Sequence, residues 1–223
     1  MNTISSRNPD MPATRLRGRE AGPPFPFHRL CPVPITRTEE SSEFRRPMTD
    51  ECWQDAVRTL AGQIDPAHRR LLEAVANEIS LNIKALDTLM DRYCRETCPS
   101  CGNPCCDGRE VFYNRADLLY LLGTGKPVPP GQTRRTPGEA CRYLTSGGCL
   151  LPRDERPYVC VWFLCEPQMG LFQAEKPATQ RQVINTLLDT RSYRLGLESL
   201  HDKSGCRLKE VHSTGSECPC TEK

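Results

Sequence analysis

The sequence predicts a mostly α-helical domain with a small irregular or β-hairpin centre. Three observations lead there. Residues 65–96, "DPAHRRLLEAVANEISLNIKALDTLMDRYCRE", carry Leu72, Val75, Ile79, Ile83, Leu86, Met90 and Tyr93 at steps of three or four, the spacing of one buried helix face. A second helical pattern runs through "ATQRQVINTLLDTRSYRLGLESL" with Val183, Leu187 and Leu188. Between the two, "CRETCPSCGNPCC" packs five cysteines into thirteen residues and is followed by loops rich in Gly and Pro.

Taken in order, residues 1–47 read as a disordered tail. They are rich in Pro and Arg ("GPPFPFHRLCPVPITR", "EESSEFRRP") and have no apolar period. Met48 stands just before "TDECWQDAVRTL", where Thr49 or Asp50 caps a helix over about 49–62 and where translation could equally begin. The long helix opens with Asp65 as N-cap and Pro66 at its first position, and ends near Cys94. After the cysteine run, "REVFYN" has the composition of a short strand. "NRADLLYLLGTG" reads as a brief helix stopped by Gly123 and Gly125, and "KPVPPGQTRRTPGEA" as a loop. "CRYLTSGGCLLP" suggests a hairpin turning at Ser146-Gly147-Gly148, and "ERPYVCVWFLC" a strand or short helix. The domain then spans 48–203 with its cysteine-cluster core at 94–165, and residues 204–223 form a polar, disordered tail.

The 223 residues carry 30 Lys+Arg against 28 Asp+Glu, a net charge of +2 with both signs interspersed. No basic footprint for nucleic acid and no membrane-surface charge is present. No stretch approaches the roughly 18 apolar residues that a spanning helix needs. The N-terminus lacks the apolar core of a secretory signal, and Asp10, Glu20, Glu39, Glu40 and Glu43 make it too acidic for a transit peptide. These features place the expectation in the cytoplasm, where structural disulfides are rare and grouped thiols bind metal or do redox work.

Of 14 cysteines, nine stand between 94 and 165: Cys94, Cys98, Cys101, Cys105, Cys106, Cys141, Cys149, Cys160 and Cys165. Cys98-Pro-Ser-Cys101 is a knuckle whose two-residue spacer turns both sulfurs toward one ion, and Gly102 after it permits the positive φ such turns use. The side chains of adjacent Cys105 and Cys106 diverge, so at least one serves a different iron, a second ion or the core. Cys31, Cys52 and Cys206 suit the reading as small buried hydrophobes, and the tail pair Cys218 and Cys220 as non-ligands. No histidine lies in the cluster, since His28, His68, His201 and His212 are all outside it. An all-thiolate set suits tetrathiolate zinc or an Fe–S cluster and argues against an open hydrolytic zinc site. The uneven spacing C-x2-C-x3-C-C … C-x7-C-x10-C fits ligands gathered around a polynuclear cluster better than a zinc ribbon, which pairs two knuckles. Tyr158, Val159, Val161, Trp162, Phe163 and Leu164 could wall it from water, and Arg153 and Arg156 either offset thiolate charge or are surface arginines.

The motifs "CPSCGNPCC", "ADLLYLL", "CRYL" and "GCLLPRDERPYVC" resemble the YkgJ-type cysteine-cluster proteins, a zinc- or iron-chelating domain family. The matching positions are Cys98, Cys101, Gly102, Cys105, Cys106, Asp117, Cys141, Leu144, Cys149, Arg156, Pro157 and Cys160, within 94–165. The sequence departs by one extra residue before Cys105 and another between Cys149 and Cys160, while Cys94 and Cys165 stand outside the pattern. The resemblance implies metal chelation through Cys98, Cys101, Cys105, Cys106, Cys141, Cys149 and Cys160, with Cys94 and Cys165 as further candidates. A flagellin lysine methylase carries a similar cluster, so methyl transfer is an enzymatic alternative.

The expectation is therefore a metal-stabilised small domain holding an Fe–S cluster, of the four-iron kind, or zinc, and serving redox response or electron transfer. Its rivals are a structural zinc module that binds a protein partner and a lysine methyltransferase-like enzyme. No glycine-rich cofactor fingerprint and no acid–base or nucleophile constellation is found in the sequence.

Overall fold

The computed structural model describes residues 42–102, 104, 111–146 and 148–208, with side chains described from 43 to 202 within those ranges. The chain divides into a unit Met1–Thr38, which lies outside the described residues, and a unit Glu39–Lys223 that holds every element below. The described residues are mostly helical, with one small antiparallel sheet of two strands. The helices are α1 (Asp50–Gly62), α2 (Arg69–Thr97), α3 (Arg115–Thr124), α4 (Tyr158–Trp162), α5 (Glu166–Gln173) and α6 (Pro177–Leu208). The strands are β1 (Leu144–Thr145) and β2 (Gly148–Cys149), paired Leu144 to Cys149 and Thr145 to Gly148. None of the described helices is long and apolar enough to cross a membrane.

The core is built on α2. Every position of its predicted stripe, from Leu72 to Tyr93, is buried. α6 covers that stripe along its length in the opposite direction. Val183 packs near Leu86, Met90 and Tyr93, while Leu200 meets Leu72 at the other end. α3 packs on α2 as well, and Gly123 is the reason it approaches so closely: a Cβ there would stand 2.8 Å from Ala76 Cβ. Gly123 thus lies inside α3, and Gly125 alone, at φ 65°, ends it. Asn114 caps the helix by accepting from Asp117 N at 3.0 Å, and Asp117 Oδ2 accepts from Asn114 N at 2.9 Å.

Several boundaries differ from the sequence reading. α2 starts at Arg69 because Asp65 to His68 close an i→i+3 turn (His68 N to Asp65 O, 2.9 Å), with the Asp65 carboxylate capping Ala67 N at 2.8 Å. Val111–Asn114 is not a strand: Tyr113 N gives its hydrogen to the Gln132 side chain rather than to a neighbouring strand. "YVCVW" resolves as helix, and α5 was not anticipated. The boundary at 47 cuts through packed chain, since Phe44 is buried edge-on to Trp53 at 6.5 Å between ring centres. At the other end α6 continues past 203 to Leu208.

Gln132 orders the loop-rich centre. It is fully buried; its Nε2 donates to Phe44 O (2.8 Å) and Tyr113 O (3.2 Å), and its Oε1 accepts from Tyr113 N and Thr133 N (both 2.9 Å). One amide therefore satisfies backbone groups that have no ladder. Trp53 fastens α1 to the same loop through its indole N–H, 2.8 Å from Pro129 O.

Asp117 and Arg194 form a buried ion pair at 2.7 Å that joins α3 to α6. Asp117 Oδ1 also accepts Tyr158 N at the start of α4 (3.0 Å), and the Arg194 guanidinium lies 4.5 Å over the Tyr158 ring. Removing one partner of such a pair leaves the other charge buried, so Arg194→Met should cost about 3–5 kcal/mol in urea unfolding. The double variant Asp117→Asn/Arg194→Met should lose less than the sum of its singles; strict additivity would show that the pair is not energetically coupled.

Asp50, at the start of α1, pairs with Arg142 and Arg135 of the loop that follows α3. Hydrogen bonds from those two guanidinium groups hold its carboxyl pKa down at about 2. The contribution is present above the ordinary carboxylate range and is lost as the pH falls from about 4 toward about 2. Melting temperatures across that window should fall less steeply for Asp50→Asn than for the native chain.

Candidate metal centre

The described cysteines that were expected to bind metal fall into two neighbourhoods. The first forms where α2 ends. Cys94 lies in its last turn and Cys98 is its C-cap, so the knuckle begins as the helix stops. The knuckle turn closes through Cys101 N to Cys98 O at 3.1 Å, and both Cys98 and Cys101 are exposed. Gly102 does not take the positive φ expected of it; among the described glycines only Gly125, Gly138 and Gly148 do. Thr97 Oγ1 lies 3.9 Å from Cys98 Sγ.

Two side chains from distant parts of the sequence approach these sulfurs. Gln168 Nε2, on α5, lies 3.6 Å from Cys94 Sγ and 3.8 Å from Cys98 Sγ. Arg153 Nη2, from a 3-10 turn at Arg153–Glu155, lies 3.8 Å from Cys94 Sγ and donates to Asp91 at 2.5 Å. Both side chains are buried, Gln168 at 6% exposure and Arg153 at 8%. Arg153 Nε also pairs with Asp87 at 3.5 Å. Burial pushes the Asp87 carboxyl above its ordinary value, and the Arg153 charge opposes that shift. Arg153 is thus a cation beside thiol sulfur rather than a surface arginine.

The second neighbourhood holds Cys141, Cys149 and Cys160, from the start of the hairpin, from β2 and from α4, near enough for their charges to act on one another. Leu144 N donates to Cys141 O (3.0 Å) and Leu150 N to Tyr143 O (2.9 Å), which fold the hairpin back on itself. Burial raises the Cys160 thiol to about 12, and the charges that Cys149, Cys141 and Asp117 would carry push the same way. Cys141 is raised for the same leading reason, burial, with Cys149 adding to it. Burial also raises the Tyr113 phenol, which feels Cys160 and Cys149; its hydroxyl donates to Glu155 O at 2.7 Å. Arg156 sits near enough to oppose the Cys160 shift while its Nε donates to Leu151 O at 2.9 Å.

The apolar run around Cys160 is only in part a wall. Val161 is buried and Leu164 packs on the core, whereas Trp162 is exposed. Cys165 begins α5: its carbonyl accepts from Met169 N at 2.8 Å and its N–H points to Gln168 Oε1 at 3.4 Å. Cys52 is disulfide-bonded, which corrects its reading as a packing thiol. Cys31, Cys105, Cys106, Cys218, Cys220 and the Cys206 side chain lie outside the described residues.

The donor chemistry suits a thiolate-held ion, for the second neighbourhood offers three sulfurs and neither neighbourhood offers a histidine. Among the described residues, however, no three His, Cys, Asp or Glu side chains stand together closely enough to hold a metal ion. Sequence reasoning missed Gln168, because a glutamine in an unanticipated helix has no signal pointing at Cys94. It also left Asp91 out. The spacing Cys165-x-x-Gln168 is that of a capping box, but cysteine is not a usual cap and the signal passes unread. Asp117, part of the cysteine-family resemblance, serves here as the acceptor that joins α3, α4 and α6. No family model matches this chain, and neither the curated proteins nor the solved structures contain a match to it.

Proposed function

We propose that the chain is a metal-binding protein of the cysteine-cluster type, which chelates an Fe–S cluster or zinc through thiolates. The observation that supports this best is the convergence of Cys141, Cys149 and Cys160, three thiols from separate elements whose charges would act on one another. Three partly buried thiols within electrostatic reach of one another have no structural need for each other. Deprotonated together they repel, and a shared cation is the simplest neutralising partner. The sequence supplies the remaining candidate ligands in Cys98, Cys101, Cys105 and Cys106.

On this reading the bound ion supplies cross-linking and, if it is iron, one-electron chemistry. The protein holds it with the hairpin and α4, which are short elements with little core of their own. Binding energy at such a site is also folding energy, so the centre between α3 and α5 should tighten on loading while the α2–α6 pair is already formed.

Protein purified without oxygen decides the ion. A brown visible spectrum with iron and sulfide on elemental analysis supports Fe–S; a colourless protein with zinc supports the structural alternative. Metal-free protein that takes up neither iron nor zinc on reconstitution would remove the reading. Cys101→Ser and Cys160→Ser should each lose metal and become more sensitive to proteolysis, since apparent binding energies of structural zinc run to about 10–16 kcal/mol. Cys165→Ser should keep its metal.

A further inference from the structure

The thiols at the end of α2 are surrounded by donors that the cysteine pattern does not explain. Gln168 is nearly fully buried, and its amide nitrogen is directed at two sulfurs, those of Cys94 and Cys98. A buried amide gains little from a neutral thiol, which is a weak acceptor, but a good deal from a thiolate. Arg153 adds a guanidinium N–H and a positive charge to Cys94 from the opposite part of the sequence. Two buried donors thus converge on a pair of cysteines one helical turn apart, whose side chains share a face of α2.

We infer that Cys94 and Cys98 act as a thiolate pair that ligates a soft or borderline divalent cation, with Gln168 and Arg153 as its outer hydrogen-bond donors. Each sulfur releases its proton to solvent as its bond to the metal forms, and the donors carry part of the charge that the sulfurs acquire. Gln168 and Arg153 are positioning residues; they touch the sulfurs and leave the ion to them. Cys165 takes a different part. It opens α5 and so sets Gln168 one turn later, facing the end of α2.

The inference rests on the thiolate metal-binding reading above but adds Cys94, which lies outside the family pattern, and it can fail separately. The test is an anaerobic titration of the full reduced chain with Cd(II), followed by the sulfur-to-cadmium charge-transfer absorption, whose plateau counts Cd–S bonds. Cys94→Ser should lower the plateau, and Cys165→Ser should leave it unchanged. Gln168→Leu should keep the plateau but weaken Cd(II) binding by about 10–100-fold, the usual effect of removing a partner of a metal ligand. Far-UV circular dichroism of Gln168→Leu checks that α5 survives, and Gln168→Asn, which keeps an amide on a shorter arm, should fall between the two.

A Cys94→Ser plateau equal to that of the native chain overturns the inference. If Cys160→Ser lowers the plateau in that case, the general metal-binding reading stands without it. If Cys94→Ser lowers the plateau and Cys160→Ser does not, the α2 pair is a metal site and the hairpin thiols are not. A native chain with no charge-transfer band overturns both.

Discussion

The buried pair of Asp117 and Arg194 is the constraint on which the arrangement depends. A carboxylate and a guanidinium removed from water are costly unless each is fully engaged. Here the carboxylate accepts from Asn114 N at the cap of α3, from Tyr158 N and from Arg194, and the guanidinium also donates to Asn114 Oδ1 at 2.9 Å. Such demands are met in one relative placement of α3, α4 and α6 only. Because α4 carries Cys160, the charge pair that joins two long-range helices also fixes where one of the candidate ligands stands.

Around that point the molecule has two kinds of order. The α2–α6 pair is held by apolar burial along a continuous stripe, which tolerates small shifts and is spread over many residues. The hairpin, the 131–142 loop and the 3-10 turn have little apolar surface to bury. They rely instead on single polar side chains, Gln132, Trp53, Arg153 and Asp50, each tying separate segments of backbone or side chain. Every described candidate ligand beyond Cys101 belongs to this second kind or to its border with the first. A region organised by a few directional contacts is the part of a small domain that a coordinated ion can still influence.

How much of this was legible follows from the kind of signal involved. The stripe from Leu72 to Tyr93, the Thr49 cap, the Gly125 stop and the hairpin that includes Gly148 are local, and local chemistry determines them; the Asn114 cap is just as local but went unread. Phe44 was unreadable because one aromatic in a Pro- and Arg-rich stretch has no period, and its burial depends on Trp53 and on the Gln132 amide. α5 was missed because Met169 and Phe172 are too sparse to mark a face and its cap is a cysteine. The cysteines were conspicuous as a group, yet their division into an α2-end pair and a hairpin trio depends on contacts across 59 to 74 positions of chain, and no spacing rule reaches that far.

Gln132 has a chemical consequence of its own. Its nitrogen stands 2.8 Å from Phe44 O and 3.2 Å from Tyr113 O, with both hydrogens committed. Hydrolysis of that amide to an acid replaces the nitrogen by oxygen and sets it against two carbonyl oxygens at a fully buried position. The repulsion would fall on the contact that ties Phe44 O to the loop, while Met48 N still donates to Arg134 O at 3.1 Å nearer α1. Deamidation at a single buried position, a change of about one dalton, would thereby loosen Phe44 from the loop while the helical pair stayed intact.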